Sequence, residues 1–342
     1  MSSRSSGRSR RAVPAASQRT VPLSPQRQTT AAGSRVPDPL RAALRNRYRI
    51  QREVGHGGMA TVYLAHDLRH DRPVALKIMR GDLVLALGPQ RFRREIRLAA
   101  RLQHPHILTV LDSGEAAGQP WFTMPYVEGE SLRERLCREG ALPIADALRI
   151  TREAARALGY AHRHGVVHRD VKPENLLLAQ DGSTLLADFG VALPTAELAE
   201  EHFTETGLSI GTPAYIAPEQ ATGSHPVDGR SDQYALAATC YEMLTGVTPF
   251  TGATAAALIA QRFSTPVPAV RAARPDVPKA VDQALRRALA LDADDRFASI
   301  EDFVAALGVA AVRPDRRRVP VIAWTVGLLV SVALGLLPTI AF

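Results

Sequence analysis

The most restrictive stretch of this chain is His168-Arg169-Asp170-Val171-Lys172-Pro173-Glu174-Asn175, followed thirteen residues after its last member by Asp188-Phe189-Gly190. Between the two, Leu176-Leu177-Leu178 and Thr184-Leu185-Leu186-Ala187 flank the turn pair Asp181-Gly182. Apolar runs on either side of such a pair predict a short hairpin. The hairpin would carry Asn175 and Asp188 side by side at its open end. An acid (Asp170), a cation (Lys172) and two oxygen-bearing side chains (Asn175 and Asp188) would then share one small volume. A single Asp in a loop is an ordinary turn residue. The ordered set is what is needed to orient a hydroxyl, stand beside a moving phosphate and ligate magnesium.

Upstream, Tyr48-Arg49-Ile50 and Val54 lead as a strand into Gly55-His56-Gly57-Gly58-Met59-Ala60-Thr61-Val62-Tyr63. A glycine-rich turn between strands lets backbone N–H groups approach phosphates with no Cβ in the way. The chain continues as the strand Val62-Tyr63-Leu64-Ala65 rather than a helix, which argues against a dinucleotide-binding turn. Val74-Ala75-Leu76-Lys77-Ile78-Met79 is an apolar strand with one lysine, costly to bury unless paired. A helix opens at Arg91-Phe92-Arg93-Arg94-Glu95-Ile96 and ends before Pro105. Trp121-Phe122-Thr123-Met124-Pro125-Tyr126-Val127 is a strand running into a linker. Beyond it the pattern becomes helical. Ser131-Leu132-Arg133-Glu134 is a capping box, and Pro143 suits a helix start. Ile144, Ala147, Leu148, Thr151, Ala155, Leu158 and Ala161 make one buried stripe. Strands followed by helices imply an α+β fold.

Over about residues 48–308 these motifs resemble the bacterial, eukaryote-like (Hanks-type) serine/threonine protein kinases. The resemblance implies a bilobal fold, with a strand-rich N-lobe and a helical C-lobe. It assigns Asp170 as catalytic base and Lys172 as the cation beside the phosphate. Lys172-Pro173-Glu174 is the serine/threonine version of the loop. Asn175 and Asp188 would hold Mg2+ (or Mn2+), and Lys77, oriented by Glu95, would hold the phosphates of ATP. Gly55, His56, Gly57, Gly58 and Val62 would cover the nucleotide, with Met124 as gatekeeper and Val127 donating its N–H to adenine. Two departures stand out. Ala60 replaces the third glycine of the loop, and Pro125 lacks an N–H but keeps the carbonyl that adenine requires.

The resemblance also implies regulation. Arg169 would pair with a phosphate on the activation segment, which runs from Asp188 to Ala217-Pro218-Glu219, and Thr204 and Thr206 are the expected autophosphorylation sites. Thr212 would bridge Asp170 and Lys172, Glu219 would pair with Arg296, and Asp232 would brace the catalytic loop. Protein substrates bearing Ser or Thr, and a homodimer joined through the upper lobes, are the implied partners. The alternative from another class is a membrane-anchored pseudokinase scaffold, which a missing Lys77, Asp170 or Asp188 would favour; none is missing. A small-molecule phosphotransferase is disfavoured by Gly211-Thr212-Pro213 and Ala217-Pro218-Glu219, which in the family build a peptide platform.

Charge and hydropathy divide the remainder. Of the formal charge of +8, residues 1–47 carry ten Arg and one acid, so the rest is close to neutral. The basicity therefore belongs to a tail, and no nucleic-acid partner is required by it. The composition of 1–47 predicts a disordered basic segment, either a flexible cytoplasmic tail or a transit-like leader. The segment 48–308 is the kinase-like domain and 309–318 a basic linker. The segment 319–342 has 24 residues without a charge, enough for one membrane-spanning helix. Arg316-Arg317-Arg318 before it places the domain on the cytoplasmic side of the cell membrane, as a single-pass protein. Cys137 and Cys240, far apart in helical segments, are expected to be small buried residues without a disulfide.

Overall fold

A computed structural model describes residues 36, 38–58, 60–81, 89–189, 213–223, 226–252 and 254–308. The first helix, α1 (Asp38–Leu44), precedes β1 (Tyr48–His56), β2 (Ala60–Asp67), β3 (Arg72–Met79), α2 (Pro89–Ala99), β4 (Asp112–Ala116) and β5 (Gln119–Pro125). The five strands form one antiparallel sheet in the order β1-β2-β3-β5-β4. Strand alternation gives the sheet two faces. Ala60, Ala75, Met79, Phe122 and Met124 join the main core. Tyr63, Val74, Leu76, Ile78 and Trp121 form a second cluster on the other face. Lys77 shares parity with Ala75 and Met79, so the lysine belongs to the face that meets the second lobe. It stands in register with Val62 on one side and Phe122 on the other.

Residues 38–44, placed by composition within the tail, fold as α1. Val36, Leu40 and Leu44 are buried at four-residue spacing and join the second cluster with Tyr48 and Trp121. The Tyr48 hydroxyl donates to Asp112 Oδ2 at 2.7 Å, and Arg47 pairs with the same carboxylate. Burial and that acid push the Tyr48 hydroxyl up to about 12. Because β1 and β4 are the two sheet edges, these contacts tie the edges together. A seven-residue helix with one narrow stripe gives almost no periodic signal, and its stability comes from packing.

In the second lobe, β6 (Gly129–Ser131) leads into α3 (Leu132–Glu139) through the expected capping box at Ser131 and Glu134. Next come α4 (Ile144–Arg163), β7 (Leu176–Ala179) and β8 (Thr184–Leu186), with β6-β7-β8 forming a small antiparallel sheet. The lobe is completed by α5 (Pro218–Thr222), α6 (Gly229–Thr245), α7 (Ala255–Ser264), α8 (Val270–Ala273), α9 (Lys279–Ala288) and α10 (Ile300–Ala306). Every residue from 231 to 244 of α6 is buried, and α4, α8, α9 and α10 pack around it. Such an all-round buried helix is the post on which the lobe stands.

Cys240 is buried on α6, and burial pushes its thiol up to about 12. Cys137 corrects the expectation: it is exposed, on the outer side of α3. Both are free thiols. Among the described residues no helix is long and apolar enough to cross a membrane. The segments 309–318 and 319–342, and Thr204, Thr206 and Thr212, lie outside the described residues.

Candidate active site

The β7–β8 hairpin forms as the sequence predicts, with Leu176 opposite Leu186. The Ala187 N–H donates to the Asn175 carbonyl at 2.9 Å, so Asn175 and Asp188 leave the open end together. Asp188 and Arg169 both adopt positive φ, 63° and 68°, a conformation costly for residues with a Cβ. Both lie beside the same cluster of charged groups.

In that cluster, Lys172 Nζ lies 2.9 Å from Asp170 Oδ1 and 2.7 Å from Oδ2. Asn175 Nδ2 donates to the Asp170 carbonyl at 2.7 Å and to its Oδ2 at 3.1 Å. With its amide nitrogen committed, Asn175 has its amide oxygen left for a cation. From the first lobe, Lys77 Nζ reaches Asp188 Oδ2 at 2.8 Å. Burial drives the Asp188 carboxyl up, but the charge and hydrogen bond of Lys77, with His168 and Lys172 behind, hold it below the usual carboxylate range. Its other oxygen, Oδ1, is buried with no hydrogen-bond partner. A buried anionic oxygen left open in this way fits a divalent cation. Among the described residues no three His, Cys, Asp or Glu side chains make a metal cage. That suits magnesium, which takes one or two protein oxygens and completes its shell from phosphates and water.

The resemblance implies Glu95 as the partner of Lys77. The acid that pairs with Lys77 among the described residues is Asp188; Glu95 lies half-buried on α2 and has an interaction of its own. Asp188 sits at the floor of the cleft, within direct reach of a lysine whose ring contact with Phe122 (5.8 Å) aims it inward.

Around the nucleotide side, Val62 is half-buried against the main core, Met124 is buried at the end of β5, and Val127 lies half-buried beyond it. The glycine loop closes tightly, the Gly57 N–H donating to the Ala60 carbonyl at 2.9 Å. Thr61 Oγ1 and His56 Nδ1 lie 3.2 Å apart across it. A Cβ on Gly58 would meet nothing within 4 Å, and one on Gly57 only the Ala60 carbonyl at 3.7 Å. Neither packing nor a positive φ within the chain calls for glycine there. The space beside both Cα atoms leaves room for an outside group to approach the backbone.

The supports expected of Asp232, Glu219 and Arg296 are formed. Asp232, almost fully buried on α6, accepts from the backbone N–H groups of His168 (2.8 Å) and Arg169 (2.7 Å). It also meets His162 Nε2 at 2.7 Å. His168 is wedged between the Ala187 carbonyl, 2.8 Å from its Nε2, and the Phe189 ring. Arg296 holds Glu219 through two 2.8 Å contacts, both residues buried, and Ser231 Oγ donates to the same carboxylate at 2.6 Å. Gln220 Nε2 donates to the Arg169 carbonyl at 3.0 Å, joining α5 to the catalytic loop. The Arg169 Nε is buried without a partner.

Sequence reasoning missed a second network. Arg133, just inside α3, donates to Glu174 of the catalytic loop (2.8 Å), to Glu242 of α6 (2.7 Å) and to the Tyr215 hydroxyl. Tyr215 in turn donates to Glu242. Burial and the Glu242 charge push the Tyr215 hydroxyl well above the phenol range. Each member looks like an ordinary helix charge or loop residue in the sequence, so no local signal marks it.

A strand-rich lobe and a helical lobe, with Lys77 of the first meeting Asp188 of the second, make a two-lobed architecture. A protein kinase domain profile matches residues 48–305. Serine/threonine-protein kinase PknL of Mycobacterium tuberculosis (strain ATCC 25618 / H37Rv) is 42% identical over 271 residues, 78% of this chain and 66% of that protein. Serine/threonine-protein kinase PknB of Mycolicibacterium smegmatis is 40% identical over 262 residues, 74% of this chain and 41% of that protein. The chain belongs to the protein kinase family, beside bacterial serine/threonine kinases. The match spans just under two thirds of the PknL relatives and well under half of PknB.

Proposed function

We propose that this chain transfers the γ-phosphate of ATP to serine and threonine hydroxyls of proteins. The observation that carries the reading is the meeting of Lys77 with Asp188, beside the Asp170–Lys172–Asn175 cluster. Asp170 orients the substrate hydroxyl and accepts its proton. Lys172, held on Asp170, places its ammonium where charge develops on the moving phosphate. Lys77 and the glycine-rich turn 55–58 position the phosphates, while Val62, Met124 and Val127 enclose the adenine. Asn175 and Asp188 hold Mg2+ (or Mn2+). Bound there, the ion neutralises phosphate charge. Transfer of this kind needs placement more than covalent chemistry.

Labelled ATP with a generic basic protein tests the reading. The wild type labels serine and threonine, and Asp170→Asn lowers kcat by roughly 10²–10⁴-fold. Labelling by neither overturns it in favour of a pseudokinase scaffold, and equal labelling by both removes Asp170 from the transfer.

Regulation follows from Arg169, whose buried Nε has no partner. Phosphate on Thr204 or Thr206 would supply the missing acceptor oxygens and order the segment. Replacing both threonines by Ala is expected to cut activity, with mass spectrometry locating the phosphates in the wild type; full activity in the unphosphorylated double variant defeats this. The segment 319–342 anchors the chain in the cell membrane with the kinase domain cytoplasmic and 309–318 as a basic linker. Truncation after 318 should release the chain from the membrane fraction. A homodimer through the upper lobes would favour phosphorylation in trans.

A further inference from the structure

Arg262 lies on α7 with 5% of its surface exposed. Its Nη2 donates to the Pro213 carbonyl and its Nη1 to the Ile216 carbonyl. The guanidinium lies 5.8 Å from the centre of the Tyr234 ring, and Nε is buried without a partner. No carboxylate pairs with it among the described residues, and burial pushes its pKa down.

A buried cation with no anion is costly. A methionine of similar reach would remove that charge but leave both carbonyls without a donor, so the arginine is set by what it holds rather than by packing. What a guanidinium adds is a planar fork that satisfies two carbonyls at once. These carbonyls belong to 213–217, a segment with no helix or strand of its own, whose backbone acceptors have no ladder to join. The segment carries Tyr215, held by Arg133, and runs into α5, where Glu219 is held by Arg296. A cleft of about 330 Å³ opens beside Arg262, lined also by Pro218, Tyr234, Phe250, Phe263 and Leu291. The guanidinium is therefore not wedged on all sides by packing; the two carbonyls fix it.

We propose that Arg262 is a positioning residue for the protein substrate: by holding the Pro213 and Ile216 carbonyls it fixes the backbone of 213–217, and so sets the affinity for polypeptide without entering the nucleotide site. The proposal rests on the phosphotransfer reading for what binds there, and on geometry alone for the clamp.

The test compares the full chain with Arg262→Met and Arg262→Lys. In Arg262→Met, KM for the basic protein rises about ten-fold, the loss of one charged hydrogen-bond pair. KM for ATP and kcat stay unchanged, and the thermal midpoint shifts little, because relief of the buried charge offsets two carbonyls left without a donor. Amide exchange at 214–217 quickens while that at 168–175 does not. Arg262→Lys, with an ammonium in place of the fork, gives an intermediate KM. Unchanged protein KM and unchanged exchange overturn the proposal. So does a lowered midpoint with equal decline in every kinetic constant, which marks a structural role only. Should the methionine variant fail to fold, a lysine variant with wild-type KM and exchange overturns it. A wild type that transfers no phosphate sinks the phosphotransfer reading, and the exchange comparison still decides the clamp.

Discussion

The catalytic loop and the platform beside it are held in opposite ways. The loop, 168–175, offers backbone N–H groups to one buried acid, Asp232, which takes two of them and a histidine besides. The platform, 213–222, offers carbonyls, a phenol and an acid, and three arginines reach into it. Arg133 comes from α3, Arg262 from α7 and Arg296 from the turn before α10. A short carboxylate on a fully buried helix has almost no freedom, so the loop is fixed to the core of the lobe. Guanidinium tethers on long side chains reach the platform from three separate elements. The loop must keep Asp170 and Asn175 in place to within a fraction of an ångström. On the proposed function, the platform must accept and release a polypeptide.

The sharpest way to break that contrast is through the platform's most buried tether. Arg296→Met leaves Glu219 charged in a site where both residues are buried. It should lower unfolding free energy by about 3–5 kcal/mol, read by denaturant titration. The double variant Arg296→Met with Glu219→Leu should recover much of the loss, because removing both charges also removes the desolvation cost. No recovery would mean that Arg296 acts mainly through its bonds to the Arg230, Ala290 and Leu291 carbonyls.

The loop's brace should give a smaller effect on stability and a larger one on turnover. Asp232→Asn keeps shape but turns one acceptor into a donor facing a backbone N–H. The expected cost is about 1–3 kcal/mol for the donor left unpaired. kcat should fall with it while KM for the protein substrate stays, since the platform's tethers are untouched. An equal rise in KM would show that the two regions move as one body.

How much of this was legible in the sequence follows from the range of each interaction. Asp170, Lys172, Asn175 and Asp188 are readable because a hairpin of predictable length joins them. The Glu219–Arg296 pair and the Asp232 brace were readable only through family likeness, not through any local pattern. The contact of Lys77 with Asp188 was not legible, because an apolar strand says that a lysine needs a partner and not which acid supplies it. The helix α1 was hidden by the arginines around Leu40 and Leu44, whose stripe is visible only once the sheet edge it covers is known. Arg133 and Arg262 were invisible for a related cause. Arginine in an amphipathic helix is most often a solvated charge, and its long stem lets the head group turn inward without altering the helix pattern.

The finest test of the contrast is titration, since one region's acid is charge-paired and the other's is set mostly among backbone donors. Burial drives Glu219 up, but the bonds to Arg296 and Ser231 outweigh it, so its folded pKa lies below the ordinary glutamate value of 4.5. A depressed folded pKa means the charged form stabilises the fold. That contribution is complete above the ordinary value and is lost as pH falls below it toward the folded one. Asp188 and Asp228 are depressed as well, so wild-type stability should decline on that acid limb for several reasons at once. Glu219→Gln isolates one of them. Its stability should be lower than wild type at neutral pH, and the gap should narrow as the pH is taken down through the carboxylate range. Parallel curves for the two proteins would mean that Glu219 holds the platform as a hydrogen-bond acceptor and that its charge contributes nothing.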